Sequence, residues 1–299
     1  MASLEQFYIG GQWVAPAGSQ RIDVVNPATE TVYARVAGGN ADDIDRAVKA
    51  ARDAFSGYSQ TTRAERLELL DSIIAAYQER QEDIAQAISQ EMGAPITLSR
   101  NVQYLLGLLI FQGVRRNLET FSFSHALGST TVLKEPIGVA GLITPWNWPM
   151  NQIALKVAPC LAVGATMVLK PSEITPVSAL ILAEILDKAG VPAGVFNLVN
   201  GDGPGAGMPL AEHPEVDMIS FTGSTRAGIE VARAAAGTIK RVSQELGGKS
   251  ANIIFEDADV LEEVRSGVRN VFTNSGQTCG ATTRILVPRH LAEEAYDIA

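Results

Sequence analysis

Between residues 139 and 237 the chain repeats one pattern, and that pattern constrains the fold most. Short apolar runs, VAGLIT (139–144), TMVLKP (166–171), VFNLVN (195–200) and VDMISFTG (216–223), alternate with longer helix-forming stretches. Those stretches are MNQIALKVAPCLAVG (150–164), PVSALILAEILDKAG (176–190) and RAGIEVARAAAG (226–237). The short runs are predominantly apolar and none alternates strictly with polar residues, so each expects cover on both faces. Strands of this kind, joined through helices, form parallel βαβ units. The predicted class is therefore α/β, a doubly wound Rossmann-like parallel sheet with flanking helices.

The first third reads differently. FYIGGQWVAPAG is a hairpin around Gly10-Gly11, and VVNPATE ends a strand in a turn. A helix starts after Asn40, a good N-cap, with Ile44, Ala47, Val48, Ala51 and Phe55 on one side. The apolar spacing predicts a second helix from about Ala64 to Met92, stopped by Gly93, and a third over roughly Thr97 to Leu118. HALGSTTVLKEP then turns to strand. From residue 239, IKRVSQELGG and ANIIFE are extended, DVLEEVRSGVRNVFTNSG is a helix, and RILVP is a strand before a last helix.

Composition narrows the function. With 24 basic and 33 acidic residues in 299, a net charge of −9 and no basic block, nucleic acid and anionic membrane surfaces are poor partners. Two cysteines make no disulfide framework, so a reducing compartment is expected. MASLEQFYIGGQW lacks the basic and apolar regions of a signal peptide, and prolines interrupt the most apolar run. A cytoplasmic protein follows by elimination. His125, His213 and His290 are scattered and imply no metal site.

Two places can carry chemistry. Gly223-Ser-Thr-Arg-Ala-Gly228 joins a strand to a helix, where free N–H groups favour an anion or an electron-rich cofactor edge. It departs from the GxGxxG fingerprint, and an ordinary βα turn reads equally well. GDGPGAG (201–207) reads as a surface loop, because Pro204 and Pro209 suit a phosphate cradle badly. Lys170 ends a strand at the edge where ligands bind such sheets, with Glu173 three residues on. Both suit ribose hydroxyls, and a carboxylate there would repel a 2′-phosphate, which favours NAD over NADP; a solvated turn is the plain alternative.

ITPWNWP, LKPSE, ELGGKS and NSGQTCGATTR, with NPATE and FTGS, occur together and in order. In this they closely resemble the aldehyde dehydrogenase superfamily, over all 299 residues but only about the first three-fifths of a typical member. The resemblance implies Cys279 as nucleophile, Glu245 as general base and Asn147 as an oxyanion donor. It implies NAD contacts at Thr144, Pro145, Trp146, Lys170, Ser172, Glu173, Gly203, Phe221, Thr222, Gly223, Ser224 and Leu246. Cys160 matches no catalytic position and reads as a core cysteine.

The implied domains are an NAD-binding domain over 1–117 and 139–246, and the start of an oligomerisation element over 118–138. The beginning of a catalytic domain, truncated, follows over 247–299. The implied partner is a small aldehyde, and the full-length form is expected as a homodimer or homotetramer. The implied chemistry is oxidation of the aldehyde to a carboxylic acid through a cysteine thiohemiacetal and a thioester, which Glu245 helps hydrolyse. A CoA-acylating semialdehyde dehydrogenase and a non-catalytic nucleotide-binding fragment stand as alternatives. Gly280, where relatives often carry a larger side chain, implies more room for substrate.

Overall fold

The computed structural model describes residues 4–299, so Met1, Ala2 and Ser3 of the amino-terminal stretch lie outside the described residues. The chain divides into two compact units, one running through Gln244 and one spanning Glu245–Ala299.

The first unit is built on the alternating segments. β7 (Val139–Ile143), β8 (Thr166–Lys170), β9 (Phe196–Leu198) and β10 (Met218–Gly223) join β1 (Phe7–Ile9), β2 (Gln12–Val14) and β11 (Arg241–Leu246) in one sheet. Its order is β11-β10-β7-β8-β9-β1-β2. β10, β7, β8 and β9 are mutually parallel, while β1 runs antiparallel to β9 and to β2. The hairpin turns at Gly10 and Gly11, with φ of +62° and +78°, the left-handed pair that a two-residue loop requires. All five residues of β7 and of β8 are buried, as their unbroken apolar runs demand. β3 (Arg21–Asn26) and β4 (Thr31–Ala37) form a separate antiparallel pair, as do β5 (Ser124–Leu127) and β6 (Thr130–Leu133).

Helices supply the cover. α1 (Ala41–Tyr58) starts from Asn40, whose side chain accepts from the Asp42 and Asp43 N–H groups in a full capping box. Ile44, Ala47, Val48 and Ala51 are buried, and Phe55 is half-buried. The single helix expected over 64–92 is two: α2 (Arg63–Gln78) and α3 (Gln81–Met92), broken at Glu79-Arg80. Leu70, Ile73, Tyr77, Ile84 and Ile88 keep one helical phase across the break, and no glycine or proline marks it. Arg80 leaves helical geometry to pair with Asp83 and with Glu184, a long-range contact that local pattern does not contain.

The third helix contains a defect. α4 (Ile96–Leu98) passes through one π turn, Ser99–Gln103, into α5 (Tyr104–Thr120). α6 (Pro149–Val163) and α7 (Val177–Lys188) follow β7 and β8. The 201–207 stretch is not a surface loop. Asp202 caps a helical turn, Gly203–Gly207, that runs into α8 (Met208–Glu212), and Ala206 and Gly207 are buried. Pro204 and Pro209 sit in first-turn positions, where a missing N–H costs nothing, so they start this helix instead of breaking it. α9 (Thr225–Ala235) follows β10.

In the second unit β12 (Ala251–Ile253) and β13 (Arg284–Leu286) pair in parallel. α10 (Val260–Val271) lies between them in sequence and α11 (Ala292–Ile298) ends the chain. Its apolar centre is Ile254, Val264 and Ala295. No helix among the described residues is long and apolar enough to cross a membrane.

Candidate functional site

The strand register brings three C-terminal strand ends together. Ile143 is level with Phe221 on one side and Lys170 on the other, so Thr144, Lys170 and Thr222 finish neighbouring strands. The Thr144 N–H donates to the Lys170 carbonyl at 3.2 Å, fixing the turn out of β7. Register also sorts side chains by face, because residues level with one another in parallel strands point the same way. Lys170, Phe221 and Gly223 share one face; Thr144 and Thr222 share the other.

On the first face, Lys170 is 4% exposed and its ammonium donates to Glu173 Oε2 at 3.2 Å. Burial lowers the lysine pKa, and the Glu173 and Asp202 carboxylates offset part of that. Gly207 lies alongside: a β-carbon there would stand 3.6 Å from Lys170 Cδ. Gly203, in the same helical turn, has open space where a side chain would be. Ser172 is buried, and its hydroxyl accepts from the Ile174 N–H. Gly223 lies over the Phe221 ring, which a β-carbon would meet at 2.6 Å, so no larger residue fits without displacing that ring. Ser224 is exposed and caps α9 through its hydroxyl and the Ala227 N–H.

On the second face, the Thr144 and Thr222 hydroxyls are buried with no protein partner. Buried polar groups are ordinarily bonded, so two orphans at one sheet edge mark a place where a polar ligand or water belongs. Pro145, Trp146 and Asn147 are half-buried and lead into α6, whose first residue is Pro149. The Asn147 carbonyl accepts from Gln103 Nε2 at 3.2 Å. These residues fit a long ligand rich in hydroxyl and phosphate oxygens: a cation with a carboxylate partner, two glycine approaches and two unpaired hydroxyls. A groove of about 610 Å³ lined by Arg63, Arg66, Phe123 and Lys134 holds none of them.

The second unit carries the remaining candidates. Glu245 and Leu246 close β11, Glu245 exposed and Leu246 half-buried. Cys279 is half-buried in a turn, not at a helix N-terminus. The route to it is unusual. Asn274, Ser275 and Gly276 run consecutively in left-handed geometry, φ +56°, +57° and +73°. Such geometry costs a non-glycine residue on the order of 1 kcal/mol or more and clusters at functional segments. Asn274 is buried and donates from Nδ2 to the Gln277 carbonyl at 3.2 Å, holding that bend. Sequence reading missed Asn274, Ser275 and Gln103. The Asn-Ser-Gly run is a turn signal for the first two; nothing local signals the third. Cys160, on α6, packs against the main core, and burial pushes its thiol up to about 12.

Similarity to known proteins points the same way. Residues 13–298 match the model of the aldehyde dehydrogenase family. A 3-succinoylsemialdehyde-pyridine dehydrogenase of Pseudomonas sp. is 54% identical over 100% of this chain and 63% of its own length. A mutant aldehyde dehydrogenase C of Pseudomonas syringae, solved with NAD+ and octanal, superposes with a TM-score of 0.98 at 52% identity. That match covers 99% of this chain and 61% of the other. An aldehyde dehydrogenase of Bartonella henselae gives 0.96 at 47% identity, over 98% and 62%. The chain thus spans about three-fifths of the length of these relatives, and it belongs to the aldehyde dehydrogenase family.

Proposed function

We propose that the intact protein oxidises an aldehyde to the carboxylic acid, with NAD+ as hydride acceptor. The observation that carries this is the pair of orphaned hydroxyls, Thr144 and Thr222, at the sheet edge that also holds the Lys170–Glu173 pair. Lys170 and Glu173 would hold a ribose diol, and the Gly203–Gly207 turn, Gly223 and Ser224 would lie against the rest of the cofactor. The two threonine hydroxyls, with Pro145 and Trp146, would meet its reactive end. Residues 118–138 and 247–299 would belong to an assembly element and a catalytic domain.

The chain's own groups divide the chemistry. The Cys279 thiolate adds to the aldehyde carbon, and the carbonyl electron pair moves onto oxygen. The Asn147 side-chain amide donates to that oxyanion. Bound NAD+ would supply the hydride acceptor, so that the C=O bond can re-form on the tetrahedral carbon. The product on sulfur is a thioester. Glu245 removes a proton from water, which attacks the thioester carbon; the carboxylic acid leaves and the cysteine sulfur is freed. A water-activating carboxylate favours hydrolysis over transfer to CoA. Gly280, with open space where a β-carbon would stand, is consistent with a bulky or long-chain aldehyde.

The test is NADH absorbance with the intact protein, octanal and a pyridyl semialdehyde. Turnover that Cys279→Ala and Asn147→Ala each reduce by at least 100-fold is expected. Turnover undiminished in Cys279→Ala would refute the proposal.

A further inference from the structure

Asn147 lies outside the regular helices and strands. It stands between the end of β7 and the start of α6, in a turn whose cap residue, Trp148, has φ −132° and ψ 64° and caps the helix with no side-chain bond. One contact that reaches it comes from the α4–α5 segment. Gln103 is fully buried, and its amide nitrogen donates to the Asn147 carbonyl at 3.2 Å and to Met92 Sδ at 3.3 Å. The second contact ties the same amide to the end of α3.

The backbone is arranged to permit this. Gln103 is the last residue of the π turn Ser99–Gln103, an inserted residue that rotates what precedes it relative to α5. π turns are costly, uncommon and enriched at functional sites. Four residues on, along the same helix face, a β-carbon at Gly107 would stand 2.3 Å from the Tyr77 hydroxyl and 3.3 Å from Met150 Cβ, so the glycine makes room first for Tyr77 and then for α6. Gln103 and Gly107 therefore meet Asn147 and Met150 in step, one turn apart on each side. Of the two, it is the Gln103 amide that fixes the carbonyl.

From this geometry we infer that Gln103 is a positioning residue for Asn147: it orients the peptide from which the oxyanion-binding amide projects. The inference rests on the role proposed for Asn147 above. Gln103 touches no reacting atom, and its effect passes through the Asn147 main chain. A donor misplaced by a fraction of an ångström loses part of its transition-state contribution and little of its ground-state binding.

The test uses the intact protein with octanal and NAD+. Gln103→Met keeps length and volume but has no N–H to donate. We expect its kcat to fall on the order of tenfold, a fraction of what removing an oxyanion donor costs, with the aldehyde KM and NAD+ affinity within about twofold of wild type. In an Asn147→Ala background the same change should cost nothing further in kcat, because the group it positions is gone. A purely structural glutamine would lower the thermal midpoint and subtract equally in both backgrounds. Gln103→Glu, which keeps the shape and places oxygen where the donor stood, is measured the same way and decides the matter if Gln103→Met does not fold. Wild-type kcat in the folded variant, or an equal loss in both backgrounds, overturns the inference. Wild-type turnover in Asn147→Ala itself overturns the proposed function beneath it.

Discussion

Cys160 and Cys279 differ in what surrounds the sulfur. Cys160 packs against the core of the first unit, and burial holds its thiol near 12, a shift that the Lys156 ammonium only partly offsets. Cys279 stands in a half-exposed turn beside Gly280. Thiolate, not thiol, is alkylated, so iodoacetamide at pH 8 should modify Cys279 and spare Cys160, read by peptide mass spectrometry. Preferential labelling of Cys160 would contradict the environments described. At the proposed cofactor edge, Glu173 would be the residue that a 2′-phosphate meets. Glu173→Gln should raise the NADP/NAD ratio of kcat/KM by on the order of tenfold, the scale of one like-charge contact near a surface. An unchanged ratio would remove Glu173 from selectivity.

Much at this scale was legible in sequence. Lys170 was readable as the end of a buried strand because it closes an apolar run, whereas Thr144 came only with the family resemblance. Gln103 was not readable, because its meaning comes from a π turn and a carbonyl 44 residues away. Sequence period carries neither.

Elements are fixed by contacts of two ranges. Caps are local: Asn40 with Asp43, and Gly93 and Gly164 in left-handed geometry with φ of +81° and +85°, all lie where their residue types place them. The Glu79-Arg80 break is not local, and a continuous apolar stripe concealed it. Gly164 joins both ranges. A β-carbon there would lie 2.5 Å from Arg66 Nη2, and the buried Arg66 guanidinium donates to the Ser59 and Ala162 carbonyls. Gly164→Ala should therefore cost about 2 kcal/mol or more in urea unfolding, more than the roughly 1 kcal/mol of left-handed strain alone. A change under 0.5 kcal/mol would show that Arg66 yields freely.

Helix α7 begins without a cap of its own. Glu91, buried at the end of α3, accepts from the Val177 and Ser178 N–H groups at 2.7 and 3.1 Å and from the Ser178 hydroxyl at 2.5 Å. Burial raises its carboxyl to about 7, against those three bonds, from an ordinary 4.5. Below about pH 4.5 both folded and unfolded chains hold the proton. Between 4.5 and 7 the unfolded chain releases it and the native chain keeps it, so this group's contribution to stability falls as pH rises, then levels off. The fall is at most a few kcal/mol, at roughly 1.4 per pH unit. Urea midpoints from pH 4.5 to 8 should decline more steeply for wild type than for Glu91→Gln. Parallel curves would show that Glu91 ionises normally.

The whole molecule is uneven. The first unit has a large core in which Tyr8, Tyr77, Phe111 and Phe196 are almost wholly buried. The second buries Ile254, Val264 and Ala295, while Phe255, Phe272 and Tyr296 stay largely exposed. Protection from exchange follows buried contact, so amides of residues 251–299 should exchange well before those of β7 and β8 in this 299-residue chain. Equal protection would mean the second unit is as firmly packed as the first. The apolar strand runs predicted the first unit's sheet, but the extent of the second unit's core was not legible, because its short strands leave their partners unspecified.

The central claim is covalent catalysis at Cys279, and trapping the acyl-enzyme tests it most directly. On the proposed mechanism Glu245→Gln removes water activation, so the thioester should accumulate. Intact protein of that variant, given octanal and NAD+, should gain an octanoyl group on the peptide carrying Cys279, with one NADH per site and little turnover. The adduct should be absent without NAD+ and absent when Cys279→Ala is added. No adduct on Cys279, with NADH formation continuing in Cys279→Ala, would contradict the account.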